Sequence, residues 1–459
     1  MAIINENIRD IVVKDPWRNH FHIQPPTGLL NDPNGLIYHD GKYHVFYQWH
    51  PNEAVHGLKY WYHITSSDLV TWESDYRIVE PDSLYDNHGA YSGSAFIIDD
   101  KIELFYTGNH RDENHNRIPY QVRAELLTDK IGDKLPLING PQDGYTDHYR
   151  DPKILFKNNK FYMILGAQRS NLTGAAVVYT SIDAHKWDFE YELKTSFDKE
   201  AYMWECPDIA EVNDKDVLIF CPQGSFNTPE MLTNIYPVVY SVGRFNDLDG
   251  EFISDDDFSL LDYGFDFYAT QTFLDENKDT TLIAWIGLPE MEYPTDENNW
   301  AHVLSVPRQL KVINGHLHQL PHPKLSALRN TLTDDYNNHE TYELKIADIT
   351  SSLTLDIYRS ETERFRLHYN HESEQLTLDR SNLTHQFGTN RGTTRVLNVK
   401  LTDLWILRDT STVEIFINNG LYTMTSRFFP EVIKGNIEIE STDSLKIELY
   451  TLKETNNDL

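Results

Sequence analysis

Asp32 sits in the run Asn31-Asp32-Pro33-Asn34-Gly35, a carboxylate directly before a proline and a turn at the head of an apolar stretch. Pro-Asn-Gly is turn chemistry in its own right, and alone it would read as a surface loop. Two further stretches repeat the arrangement with a carboxylate in the corresponding place: Asp151, between Arg150 and Pro152, and Glu205, two residues before Pro207. Ser92, in Tyr91-Ser92-Gly93-Ser94-Ala95, and Gln271 open two more such stretches. Glycoside hydrolysis is the chemistry that wants two carboxylates flanking one bond, one attacking the anomeric carbon and the other protonating the leaving oxygen. Three carboxylates in one place repel each other unless a reaction needs them or a cation screens them. A calcium site is the competing explanation, but the flanks lack the dense Asp/Asn spacing of such loops.

The elements that would position these residues follow one plan. Segments 32–48, 92–108, 151–166, 205–224 and 271–287 each read as an apolar strand, a tight polar turn and a second strand rich in aromatics. Their turns fall at Asp40-Gly41, Asp99-Asp100, Asn158-Asn159, Asn213-Asp214 and Glu276-Asn277. The second strands recur roughly every 56 to 64 positions, the period of a propeller blade. In a propeller the first strand of each blade lines the central channel, so Asp32, Ser92, Asp151, Glu205 and Gln271 are expected to converge on one funnel. The spacing predicts an all-β chain: a five-bladed β-propeller with its N-terminal lead-in over residues 1–325, a linker at 326–339 with a short helix over 324–330, and a β-sandwich over 340–459. Thr65-Ser66-Ser67-Asp68 leading to Trp72, and Thr180-Ser181-Ile182-Asp183 leading to Trp187, repeat one pattern and are expected as outer strands of blades one and three, with Asp turning the chain and Trp packing between blades. His20 and His22 are expected on one face of a strand, and the tail from Lys453 is expected to fray.

Among 459 residues, 27 are Tyr, 21 Phe and 9 Trp, a composition suited to strands. The formal charge of −31 argues against nucleic acid or an anionic membrane as partner. Charges in the first ten residues stand where a signal peptide would be apolar, no run of some 18 apolar residues occurs, and the two cysteines, Cys206 and Cys221, suit a reducing compartment. The expectation is a cytoplasmic protein acting on a small-molecule sugar, with no metal and no cofactor. Trp49, Trp61, Tyr91, Trp204 and Trp285 offer faces for a sugar ring, and Asn31, Gln48, Ser92 and Arg150 offer groups for its hydroxyls.

Taken in order, Asn31-Asp32-Pro33-Asn34-Gly35, Tyr91-Ser92-Gly93-Ser94-Ala95, Arg150-Asp151-Pro152 and Glu205-Cys206-Pro207-Asp208 resemble the signature motifs of the invertase, or β-fructofuranosidase, group, glycoside hydrolase family 32. Within it the chain is most similar to bacterial sucrose-6-phosphate hydrolases, through Glu290-Met291-Glu292-Tyr293-Pro294 and Trp300-Ala301-His302. The resemblance implies a five-bladed propeller with a C-terminal sandwich and retention through a covalent fructosyl-enzyme. It assigns Asp32 as nucleophile, Glu205 as general acid/base and Asp151, with Arg150, as the holder of fructose hydroxyls; residue types alone do not tell Asp32 from Asp151. It also implies that Leu29, Leu30 and Asn31 line the fructose pocket, with contacts from Gln48, Trp61, Tyr91, Ser92 and Trp285.

A retaining pair needs its carboxyl groups about 5 to 5.5 Å apart, an inverting pair about 6.5 to 9.5 Å. On this reading Glu205 should be raised by burial and two negative neighbours, while Arg150 keeps Asp151 ionised. Cys206 either tunes the acid or packs. The chain has Trp61-Tyr62-His63 where the family commonly has Trp-Gly-His, so Tyr62 either narrows the pocket mouth or turns outward. Candidates for a phosphate contact are His56, Lys59, Lys153, Arg169 and Arg244. The alternatives are a general β-fructofuranosidase acting on sucrose or short fructans, a non-catalytic sugar-binding propeller, and an inverting glycosidase.

Overall fold

The computed structural model describes residues 4–197, 201–224 and 236–455, and seven sheets hold most of them. Five sheets are blades built on four antiparallel strands, with short extra strands on three of them. The innermost strands are Gly28–His39, Ala90–Ile98, Tyr145–Lys157, Met203–Val212 and Tyr268–Leu274. Each packs along the next, and the fifth returns to the first. Trp300–Ala301 leaves blade five and pairs parallel with Gly28 and Leu29 of blade one, tying the ring shut.

Local sequence explains the hairpins. In the first four blades the two inner strands are joined by two residues, and every one of these has positive φ: Asp40 and Gly41, Asp99 and Asp100, Asn158 and Asn159, Asn213 and Asp214. That is the turn whose twist matches paired strands, and Asn, Asp and Gly tolerate it best. The second strands, such as Lys42–His50, are buried on both faces because blades cover them on either side, which is why they read as unbroken apolar runs.

Several expectations need correcting. Ser67 to Trp72 is not an outer strand but the turn between the third and fourth strands of blade one. Asp68 does turn the chain, accepting from the amides of Val70 and Thr71, as Asp183 does from His185 and Lys186. Trp187 packs edge-on against Phe105 of blade two. Residues 18–23 form no strand, and His22 is instead buried against the C-terminal sheets.

Residues 329–452 supply a six-stranded and a five-stranded sheet facing each other. The expected linker contributes a strand, Arg329–Thr333, paired with Lys446–Leu452, and a 3₁₀ turn over Pro323–Leu328 precedes it. The described part of the tail is tied down, Lys453 donating to the Leu328 carbonyl and Thr455 to that of His20; residues 456–459 lie outside the described residues. Buried polar groups join propeller to sandwich. Asp409 accepts from the amides of His20, Phe21 and His22 and from the His22 ring, whose other nitrogen meets Glu414 at 2.9 Å. Glu414 also receives Arg308, fully buried, through Nε at 2.8 Å and Nη2 at 2.6 Å. The stretch around Tyr293 serves this junction too: its hydroxyl donates to Asp266, which also holds Arg380 and the Arg427 amide.

Candidate active site

One irregularity recurs in all five innermost strands. Between Leu30 and Pro33, Ala90 and Gly93, Arg150 and Lys153, Glu205 and Asp208, and Tyr268 and Gln271, three steps on the inner strand face two on its neighbour. Each blade therefore carries a β-bulge at the same height, a device that re-aims side chains at a rim. The first bulge residue has positive φ at Asp151 (67°), Cys206 (49°) and Ala269 (47°), a conformation costly for non-glycine residues and typical of sites held by their surroundings.

The bulges also correct the register. Asp32 and Ser92 are second bulge residues, Asp151 is a first, Glu205 precedes its bulge and Gln271 follows its own. The three carboxylates meet from three successive register positions, while Gln271 is buried one step beyond. Buried clamps between blades fix the ring. Asn34 donates to the Asp32 carbonyl and accepts the Gly93 amide, Ser94 donates to the Pro152 carbonyl, and Lys153 reaches Asp208 of blade four and the Thr272 carbonyl of blade five.

At the centre, Asp32 accepts from the Ser92 hydroxyl and the Asn31 amide, and Asn31 also donates to Gln48. Asp151 accepts the Cys206 amide at 3.0 Å. The Cys206 thiol lies 3.8 Å from both Asp32 Oδ2 and Asp151 Oδ2, so this residue bridges two carboxylates. Arg150 pairs with Glu205 through Nε at 3.1 Å and Nη2 at 2.6 Å, and lies 4.0 Å from Asp151. The other Glu205 oxygen accepts from Gln223 and the Tyr268 hydroxyl, at 2.6 and 2.7 Å. Arg150 does favour ionised Asp151, but only across 4.0 Å; its hydrogen bonds go to Glu205 and His148. Burial, opposed by Arg150 and reinforced by Glu205 and Asp32, raises the Asp151 carboxyl to about 7. Burial also raises Asp32, against the hydrogen bond from Ser92. Poor solvation of the funnel thus favours the protonated form of both Asp151 and Asp32.

Not every expected contact residue presents itself here. Leu30 and Trp61 are fully buried: Leu30 belongs to the core, and Trp61 packs between Phe46 and Tyr106 while its indole nitrogen donates to the Tyr91 carbonyl, so it supports the second bulge. Leu29 packs with Ala54 and Ala301. Trp204 stacks on Phe220, and Trp49 is buried and donates to the Thr27 carbonyl. Tyr62 neither narrows a mouth nor turns outward; it is buried beside Tyr47 and Trp49 with its hydroxyl on Ser74. Trp285 is as buried as these and belongs to the same core cluster as Leu30, but its ring is edge-on to His56 and near Tyr268, and its nitrogen has no partner among the described residues. A Cβ at Gly287 would collide with that nitrogen and with His302 Nδ1, so only glycine lets the two approach. Gln223, Tyr268 and His148, which meets Arg150 Nη1 at 3.0 Å, carried no signal in the sequence.

Residues 22–321 match the family model described as glycosyl hydrolases family 32 N-terminal domain, and residues 316–455 the family 32 C-terminal model. The sucrose-6-phosphate hydrolase of Staphylococcus xylosus is 41% identical over 98% of this chain and 95% of its own length. The solved sucrose-6-phosphate hydrolase of Lactobacillus gasseri superposes with a TM-score of 0.92 at 35% identity, covering 98% of this chain and 96% of that one. A Bombyx mori GH32 β-fructofuranosidase superposes with a TM-score of 0.86 at 28% identity, covering 98% of this chain and 97% of that one.

Proposed function

The chain belongs to glycoside hydrolase family 32, and from that premise we propose that it cleaves the β-fructofuranosyl bond of sucrose 6-phosphate, releasing glucose 6-phosphate and fructose with retention of configuration. The observation that carries the mechanism is the joining of Asp32, Asp151 and Glu205 through Cys206 and Arg150. Asp32 attacks the anomeric carbon of the fructosyl unit while Glu205 delivers a proton to the departing glucosyl oxygen, leaving a fructosyl ester on Asp32. Glu205 then takes a proton from water, whose oxygen attacks the same carbon and releases Asp32. Ser92 and Asn31 orient Asp32 by donating to it. Asp151 accepts from sugar hydroxyls, and its strained backbone and the Cys206 amide fix its direction. Trp285 and Tyr91 bound the sugar, and Gln48 acts by fixing Asn31.

Glu205 must carry a proton into the first step and give it up before the second. Arg150 holds Glu205 in place between the two steps and balances its charge when it is ionised. No helix among the described residues is long and apolar enough to cross a membrane. A phosphorylated sugar is too charged to leave a cell freely, so the reading puts the enzyme in the cytoplasm. The test is kcat/KM for sucrose 6-phosphate and for sucrose, side by side. A preference of about a hundredfold, some 2.7 kcal/mol of transition-state binding, is expected. Equal values would make this a general β-fructofuranosidase.

A further inference from the structure

The structure separates the candidate basic residues by where they lie and whether they are already paired. Lys153 is buried against Asp208 and Thr272. Arg169 is held by Glu192 through two hydrogen bonds and also donates to Thr173 and Gly174. Arg244 stands exposed on the third strand of blade four. Arg117 has an unbonded Nε but already faces Asp147 at 3.9 Å.

Lys59 differs from all of these. Only 4% of it is exposed, and its ammonium has no hydrogen-bond partner among the described residues. The backbone is pinned at the junction of blades one and two, where the Lys59 carbonyl accepts the Ala90 amide, one residue before the bulge that carries Tyr91 and Ser92. Asp32 is the charge it feels most strongly, yet no ion pair within 4.0 Å joins them. His56, three residues earlier on the same loop, is close enough to Lys59 to feel its charge and lies edge-on to Trp285, with ring centroids 6.0 Å apart. A buried ammonium with three unused donors is expensive for a fold to keep. A sugar hydroxyl would accept one of those donors, whereas a phosphomonoester offers three acceptor oxygens and a charge of about −1.5 to −2.

We propose that Lys59, with His56 beside it, is the phosphate-recognition site that separates sucrose 6-phosphate from sucrose. This deepens the substrate reading above and rests on it. Burial lowers Lys59 to about 7 against the pull of Asp32, and lowers His56 to about 3 with help from Lys59. Lys59 therefore gains charge when a dianion binds beside it, while His56 stays neutral and offers a ring N–H.

The experiment measures kcat/KM for sucrose 6-phosphate and sucrose in wild-type, Lys59→Met, Lys59→Gln and Arg169→Gln enzymes. Glucose 6-phosphate and glucose are compared as inhibitors of sucrose hydrolysis, and thermal unfolding confirms that each variant is folded. Both Lys59 variants should lose between about tenfold and a hundredfold of the preference for the phosphorylated sugar. They should also lose the advantage of glucose 6-phosphate over glucose, while Arg169→Gln retains both. Three results would overturn the assignment in distinguishable ways. A preference retained in both folded Lys59 variants rejects this site and leaves the substrate reading intact. An equal loss on both substrates makes Lys59 a partner of Asp32 or of the common sugar. A wild type with no preference, and no tighter inhibition by glucose 6-phosphate than by glucose, removes the substrate reading and this inference with it.

Discussion

Replacing Asp151 by asparagine keeps the shape of a side chain that is 3% exposed and removes its charge. In the folded protein, burial, opposed by Arg150 and reinforced by Glu205 and Asp32, raises this carboxyl to about 7; in an unfolded chain it titrates near 3.9. The folded state therefore keeps a proton that the unfolded state gives up from about pH 4. Stability from this group is complete below about pH 4 and is lost progressively as pH rises to about 7, above which both states are ionised. At about 1.36 kcal/mol per unit, three units amount to about 4 kcal/mol, of which about 3 kcal/mol falls above pH 4.5. Urea unfolding of both proteins at pH 4.5 and pH 8 should show the wild type losing about 3 kcal/mol more than Asp151→Asn across the interval. Parallel pH dependence would refute the reasoning, because Asp151 would then be ionised throughout.

The Asp151 carboxyl, raised to about 7, predicts that kcat/KM changes through about pH 7 in the wild type and that Asp151→Asn removes this change; a profile flat from pH 6 to 9 would contradict it. Glu205→Ala should leave substrates with good leaving groups partly cleavable while Asp32→Ala abolishes turnover on all of them; similar losses on both substrate kinds in both variants would exchange or cancel the roles. At the junction between propeller and sandwich, Glu414→Gln removes the carboxylate hydrogen-bonded to buried Arg308 and one of the two that face His22, leaving Asp262 at 3.5 Å from Arg308 and Asp409 on His22. It should cost about 3 to 5 kcal/mol in unfolding free energy, and a loss below about 1 kcal/mol would mean the network contributes little.

Much of this was legible in the sequence because hairpin chemistry is local. Asn158-Asn159 and Asp99-Asp100 announce their turns through residue types that accept positive φ. Convergence of Asp32, Ser92, Asp151 and Glu205 followed from the repeat, but their heights in the funnel did not. A bulge adds one residue without changing the apolar pattern around it, so Gln271 read as the fifth equivalent while it lies beyond its bulge. Aromatic residues misled for a related reason. Trp61 and Trp204 sit near motif residues in sequence, but their rings pack into the propeller core against Tyr106 and Phe220, because a strand sends neighbouring side chains to opposite faces. Pairing across hundreds of positions was beyond reach: His22 with Asp409 and Glu414, and Arg150 with Glu205 rather than with the Asp151 beside it, depend on the closed ring and on the sandwich docked against it.

The nucleophile is the claim on which the mechanism turns. Folded Glu205→Gln enzyme, mixed with a β-fructofuranosyl substrate whose leaving group departs without protonation and quenched in acid, can be digested and its peptides weighed. A fructosyl mass on the peptide that carries Asp32 is expected, together with product of retained configuration from the wild type. A fructosyl mass on the Asp151 peptide, or inverted product with no adduct, would contradict it.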